Sequence, residues 1–227
     1  MENKLRKALH CKSFTYDTSL YCFKEKLEAL FGCPLEDLHT QLGEFEKVNL
    51  QTCQKTLAHR VFYANYSYTI RNSYLDFLRN VILPIVEEPF YYQQTPTFRI
   101  GLPNNCFVGE YHKDSFYKHQ DYEVNFNLGL ANYEGSAALK AEKTPDKGDF
   151  ITLESPYGSI FSFDHIDCLH GSDPNRTCKT MVSMDFRIAP LDLFYYAQDA
   201  ASINTKSRFA PGGYFSEEVM KWNLSPS

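Results

Sequence analysis

The hydrophobic period of this chain changes once, near Thr95, and that change restricts its fold more than any other feature of the sequence. Before it, apolar residues recur at helical spacing; after it, they alternate. In the first third, Phe23, Leu27, Leu30 and Phe31 share a face of a predicted helix that stops at Gly32,. A second helix is expected at about Leu35–Leu42, after Pro34, and a third over Tyr68–Val86 with Ile70, Tyr74, Phe77, Leu78 and Val81 on one stripe,. From Thr97 to Leu102 the even positions are apolar. Tyr122–Leu128 and Met181–Ile188 alternate in the same way, and Phe107–Asp114 and Gly158–Asp164 also read as strands,.

The polar faces of these strands are unusual. A face turned to solvent would carry long charged side chains of any type. Here Asn125, Asn127, Ser183, Asp185 and Arg187 stand where a wet pocket would need them,. Helices followed by a run of short strands predict helices packed on one apolar sheet face, with the polar face turned inward. A mainly β double-stranded β-helix, a jelly roll of the cupin type, satisfies this. With 227 residues, no repeat and no low-complexity linker, a single domain is expected over 1–227,. Its helical part is about 1–90, its jelly-roll core about 95–190, and 191–227 is a C-terminal extension.

Composition excludes several classes. The 16 Tyr and 18 Phe suit strands around a cavity,. A net charge of −5 and the lack of a basic stripe argue against a nucleic-acid partner,. The seven Cys contain no CxxC pair, which fits neither a disulfide framework nor a zinc ribbon,. The amino terminus has no apolar signal region and no apolar run is long enough to span a bilayer, so a reduced, cytoplasmic protein without membrane attachment is expected,.

The motif with most chemistry in it is Gly109-Glu110-Tyr111-His112-Lys113-Asp114. Residues two apart on extended backbone share a face, so His112 and Asp114 are expected to point together. His170 lies far downstream, before Gly171 and Pro174, where a strand is expected to give way to a loop at a barrel mouth,. Two imidazoles and one carboxylate form the facial triad that leaves three positions open on non-haem Fe(II). The remaining histidines have plainer readings: His10, His39 and His59 as surface or core residues, His165 and His119 as loop contacts.

Four blocks carry a resemblance: QQTPTFRIGLPNN, VGEYHKDSFYKHQDYEVNFNLGL, SFDHIDCLHGSDPNRTCKTMVSMDFRIAP and RFAPGGYF. Together they resemble the iron/2-oxoglutarate oxygenase superfamily, in its branch of phytanoyl-CoA-hydroxylase-related enzymes that includes a streptomycin-biosynthesis protein. The resemblance implies a double-stranded β-helix, Fe(II), 2-oxoglutarate and O2 as co-reactants, succinate and CO2 as by-products, and a small-molecule substrate. By motif position it makes His112, Asp114 and His170 the metal ligands. Retention of Asp114 favours hydroxylation, desaturation or ring closure over halogenation, because halogenating relatives carry a small residue there.

Many members of the superfamily hold the far carboxylate of 2-oxoglutarate with an Arg two residues before a Ser. Here that position is Met181, before Ser183. Arg187 is the expected replacement, with Ser183 and Asn127 beside the oxo-acid; Arg99, Arg176 and Lys179 are rival cations. Arg99, Asn125, Glu110, Tyr111 and Tyr117 are candidate substrate contacts. Met181 keeps open a cupin-like metalloenzyme that does not use 2-oxoglutarate, and a non-catalytic jelly-roll binding module is the third reading. The substrate and the oligomeric state are not legible.

Overall fold

A computed structural model describes residues 3–41, 54–108, 110–195, 201–202 and 206–222. Its helices are α1 (Lys4–Leu9), α2 (Phe23–Phe31), α3 (Leu38–Gln41), α4 (Leu57–Thr69), α5 (Arg71–Phe77) and α6 (Leu83–Val86). The strands are β1 (Lys12–Thr15), β2 (Phe90–Tyr92), β3 (Thr97–Gly101), β4 (Val124–Ala131), β5 (Leu139–Glu142), β6 (Phe150–Leu153), β7 (Ser159–Ser162), β8 (His170–Ser172) and β9 (Met181–Pro190).

The strands form two antiparallel sheets. The larger runs β1-β7-β4-β9-β2 with β3 also on β9, and the smaller runs β6-β5-β8. One face of the larger sheet is apolar. Val124, Phe126, Leu128 and Leu130 of β4 and Val182, Met184, Phe186 and Ile188 of β9 join the helices in one core. The ring of Phe62 stacks on Phe98 at 4.4 Å, and Tyr74 meets Phe186 edge-on at 5.3 Å. The other face looks across to the smaller sheet, where Phe161 and Met181 pack with Leu139, Ala141 and Leu153. This is the expected jelly roll, with the expected faces. A third cluster, of Tyr122, Ala189, Phe209, Tyr214 and Phe215, lays the C-terminal segment over one end of the barrel.

Local signals behave unevenly. Helix α2 ends at Gly32 with φ 73°, a left-handed position that glycine adopts without strain,. The helix expected over Tyr68–Val86 is broken up. It opens at Arg71, relaxes to a π-helical turn over Leu78–Ile82 and closes with Pro84 in α6. Helix α4 before it escaped the sequence reading, although Thr56 caps it by accepting the His59 N–H,. Among its described residues, which leave out Gly109, the segment Phe107–Asp114 does not form the expected strand. The Ser172 hydroxyl takes the Phe107 and Val108 N–H groups, and His112 and His170 form a two-bond bridge. His170 begins a strand where the sequence suggested an end. Leu42 at the end of the second expected helix lies outside the described residues.

His59 is buried on α4, with Nδ1 on the Thr56 hydroxyl at 2.8 Å. Burial, then Arg99, lowers its pKa to about 4. As pH falls, the unfolded chain therefore takes up this proton first. The contribution is whole above pH ~6.5, the unfolded value, and is lost as pH falls toward the folded value. Wild type is expected to lose up to about 3 kcal/mol more stability across that window than His59→Leu. Urea titrations at several pH values check this, and parallel pH profiles for the two proteins would refute it.

Candidate metal centre

Three segments that are remote in sequence or differ in backbone meet at the barrel mouth. His112 and His170 exchange backbone hydrogen bonds, N to O in both directions at 2.9 Å, which sets their side chains beside each other. Lys113 is still extended (φ −105°, ψ 139°), so Asp114 returns to the side of His112 as it opens a 3-10 turn. The Asp114 N–H donates to the His165 carbonyl at 2.8 Å, and the Ser115 hydroxyl to the Ile166 carbonyl at 2.9 Å, which ties that turn to the loop before β8.

The result is a compact donor set. One atom from each of His112, Asp114 and His170 lies within 4.8 Å of the others. Both Nε2 atoms stand 3.4 Å from Asp114 Oδ1. Neighbouring ligands about 2.1 Å from one ion lie roughly 3.0–3.4 Å apart, so the spacing suits a shared cation. The tautomers are settled by carbonyls. His112 Nδ1 faces the Glu110 carbonyl at 2.7 Å and His170 Nδ1 the Cys168 carbonyl at 3.1 Å. Each Nδ1 must then donate, which leaves each Nε2 lone pair for a metal. The residues present fit a divalent ion bound by two nitrogens and one oxygen.

A chain of alternating charge runs inward from this point. Asp114 Oδ2 accepts from Arg187 at 2.7 Å, and Arg187 also reaches Asp185 Oδ2 at 2.6 Å. Asp185 Oδ1 in turn accepts from Arg99 Nε at 2.7 Å. Burial works against the Asp114 carboxylate, but Arg187, His119, His112 and His170 outweigh it and hold its pKa well below the usual range. Burial works against the Asp185 carboxylate too, and Arg99 and Arg187 keep it ionised. For Arg187, burial is outweighed by Tyr214, Asp114 and Asp185, and the guanidinium stays charged. Burial lowers His170, with Asp114 opposing, which favours the neutral imidazole a metal needs,.

The small cavity beneath the triad has Arg99, Asn125, Asn127, Ser183, Asp185 and Arg187 as its polar lining. Asn127 Nδ2 is buried there without a hydrogen-bond partner. Other expected contacts lie elsewhere. Glu110 is exposed and meets His112 through its carbonyl. Tyr111 turns away: its hydroxyl donates to Asp173 at 3.1 Å, its ring meets Phe150 edge-on at 5.2 Å, and it lies flat against Gly171. A Cβ on Gly171 would stand 2.8 Å from that ring, so glycine lets Tyr111 and β8 close together beside both imidazoles. The Tyr117 ring packs edge-on against His112 at 4.9 Å.

Asp185, expected on the polar strand face between Ser183 and Arg187, lines the cavity and pairs with both arginines. Two residues of the site were missed. Gln93 and Tyr214 belong to the quoted blocks, but nothing local marks them. The Tyr214 hydroxyl donates to Gln93 Oε1 at 2.9 Å, and the same oxygen accepts the Arg187 N–H at 3.2 Å. His119 pairs with Glu123 at 2.7 Å, as a loop contact should. Arg176 lies in the loop, its N–H on the Ser136 hydroxyl.

Barrel and donor set define a double-stranded β-helix with a two-histidine, one-carboxylate donor set at its mouth. No protein-family model matches the chain. The streptomycin biosynthesis protein StrG of Streptomyces griseus is 31% identical over 180 residues, covering 79% of this chain and 85% of that protein. The chain belongs to the StrG family. Among solved structures, the non-heme monooxygenase ThoJ in its apo form superposes with a TM-score of 0.51 at 10% identity, over 94% of this chain and 86% of that one. A Pseudomonas putida prolyl-4-hydroxylase gives 0.42 at 13% identity, over 81% and 94%. No helix among the described residues is long and apolar enough to cross a membrane.

Proposed function

We propose that this protein is an Fe(II)- and 2-oxoglutarate-dependent oxygenase that oxidises, by hydroxylation, a C–H bond of a small polar metabolite in the cytoplasm. The observation that carries the reading is the convergence of His112, Asp114 and His170 above a polar cavity. Charge supports the choice of co-substrate. Arg99, Arg187, Asp114 and Asp185 sum to zero, so a divalent metal would leave the pocket with an excess of two positive charges, which the 2-oxoglutarate dianion balances. Kinship with a protein named for streptomycin biosynthesis supports a small polar substrate.

Bound iron would supply the activation of O2 and the attack on the C–H bond. The protein's own contribution is placement. His112, Asp114 and His170 would hold the metal from one side and leave the rest of its coordination sphere to the cavity. Arg187 keeps Asp114 Oδ2 occupied, so that Oδ1 alone faces the imidazoles. Asn125 and Asn127 offer neutral donors and acceptors to a polar ligand, and the apolar walls Phe107, Val108, Leu139 and Phe163 limit water at the reacting bond,.

The test is an anaerobic titration of Fe(II) and 2-oxoglutarate, followed by admission of O2. A visible charge-transfer band and O2 uptake matched by succinate are the expected result. Iron bound without a band, and O2 uptake indifferent to 2-oxoglutarate, would favour the cupin-like metalloenzyme. The buried, apolar setting of Met181, at the position where relatives of this type carry the oxo-acid's arginine, is the observation behind that second reading. Failure to bind iron would leave a binding module.

A further inference from the structure

The register of the inner strands places two arginines around one carboxylate, and their surroundings differ. In β9 and its neighbours, Arg187 lies opposite Asn125, Asp185 opposite Asn127 and Thr97, and Ser183 opposite Arg99 and Gly129. These are three successive rows of the cavity floor. Arg187 and Ser183 are four residues apart, about 13 Å along the strand. The Arg99 side chain leans back from the third row to the middle one and meets Asp185 there. From the metal donors inward the order is Asp114, Arg187, Asp185, Arg99.

We propose that the two arginines divide the work: Arg187 positions the ligand Asp114, and Arg99, with Asn127, binds the far carboxylate of the 2-oxo acid. This rests on the 2-oxoglutarate reading above. It departs from the Arg187 anchor that sequence alone suggests, for physical reasons. Arg187 Nε is buried without a partner, but both terminal nitrogens are committed to Asp185 and Asp114. Turning them toward a substrate would leave Asp114 Oδ2 buried without its cation, beside the metal position. Its side chain is 7% exposed, against 21% for Arg99. Arg99 can move at lower cost, because Asp185 would still be paired with Arg187. The incoming carboxylate then takes the place of Asp185 on Arg99. Beside it the Asn127 amide nitrogen, buried and without a partner, gains an acceptor,. Met181 has a neutral thioether and supplies no cation; it is fully buried against Gly101 and Phe107.

The experiment compares two oxo acids that differ only at the far end: 2-oxoglutarate and 2-oxovalerate, which has a methyl group where the former has the carboxylate. Both are titrated anaerobically into the Fe(II)-loaded full chain of wild type, Arg99→Gln and Arg187→Met, and Fe(II) affinity is measured separately. Wild type is expected to prefer 2-oxoglutarate. In Arg99→Gln that preference falls at least about tenfold, while affinity for 2-oxovalerate and for iron holds. In Arg187→Met iron affinity falls about ten- to hundredfold and the preference survives. Arg99→Gln that keeps the wild-type preference would overturn the assignment, as would loss of the preference in Arg187→Met alone. Thermal unfolding identifies a variant that has not folded, and Arg99→Lys, which keeps the charge, is expected to recover part of the preference. If wild type binds neither acid, the 2-oxoglutarate reading itself fails, which is a separate outcome.

Discussion

Asp114→Ala is expected to abolish high-affinity Fe(II) binding and also to destabilise the metal-free fold. The first effect follows from the donor set. Asp114 is the single carboxylate among the three, and losing it should cost more than the ten- to hundredfold typical of partners one shell out,. The second effect is less usual, since removing a metal ligand often relieves repulsion in the empty site. Here Asp114 is 4% exposed and paired with Arg187. Without it, one buried carboxylate, Asp185, is left to two guanidinium groups. An unpaired buried charge costs about 3–5 kcal/mol. His170→Gln makes the contrast, because it removes a metal ligand but leaves the charge chain whole. Calorimetric titration with metal and urea denaturation of the metal-free proteins separate the two effects. An Asp114→Ala protein as stable as wild type without metal would show that the Asp114–Arg187 pair contributes nothing net to the fold.

Gly129→Ala is expected to destabilise the fold for steric reasons alone. A Cβ at this position would lie 1.6 Å from the Ser155 carbonyl oxygen and 2.7 Å from its carbon. These are backbone atoms, so no rotamer change relieves the clash. The segment is also fixed by hydrogen bonds: the Ser155 hydroxyl accepts the Gly129 N–H at 2.9 Å and donates to the Ser159 carbonyl at 3.1 Å. Either β4 or the Ser155 loop must shift, and β4 carries Asn125 and Asn127 on the cavity floor. Overpacking typically costs about 1–3 kcal/mol, and a clash with fixed backbone atoms belongs at the upper end of that range; oxo-acid affinity should fall with stability. Ser155→Ala, which removes hydrogen bonds without a clash, should lose only about 1–2 kcal/mol. Denaturation midpoints check both, and a Gly129→Ala midpoint within error of wild type would mean that the close approach is not rigid.

Alternation made the two-faced strands legible. Phe98, Ile100, Val182, Met184, Phe186 and Ile188 are core residues, and Asn125, Asn127, Ser183 and Arg187 line the cavity. The faces were readable because side-chain direction on a strand follows from sequence position alone. Strand limits were not. Phe107–Asp114 has strand-like residues, but the Ser172 hydroxyl, brought in from β8, takes the N–H groups a partner strand would have used. His112 and Asp114 still converge, because the backbone between them is extended even without a sheet.

What the sequence by itself determined is the class of fold, the inward polar face and the His-x-Asp pair with a distant histidine. All three depend on local spacing and on which residue types suit a pocket. What only the tertiary structure decided is the pairing of charges. Arg99, Asp114, Asp185 and Arg187 lie on three separate segments, and which carboxylate holds which guanidinium depends on the register of β3 on β9 and on where the 114–117 turn lands. A one-residue change in that register would send Arg99 to the opposite face of its strand. Electrostatic partners across a barrel are set by distance in space, which the order of residues along the chain does not encode.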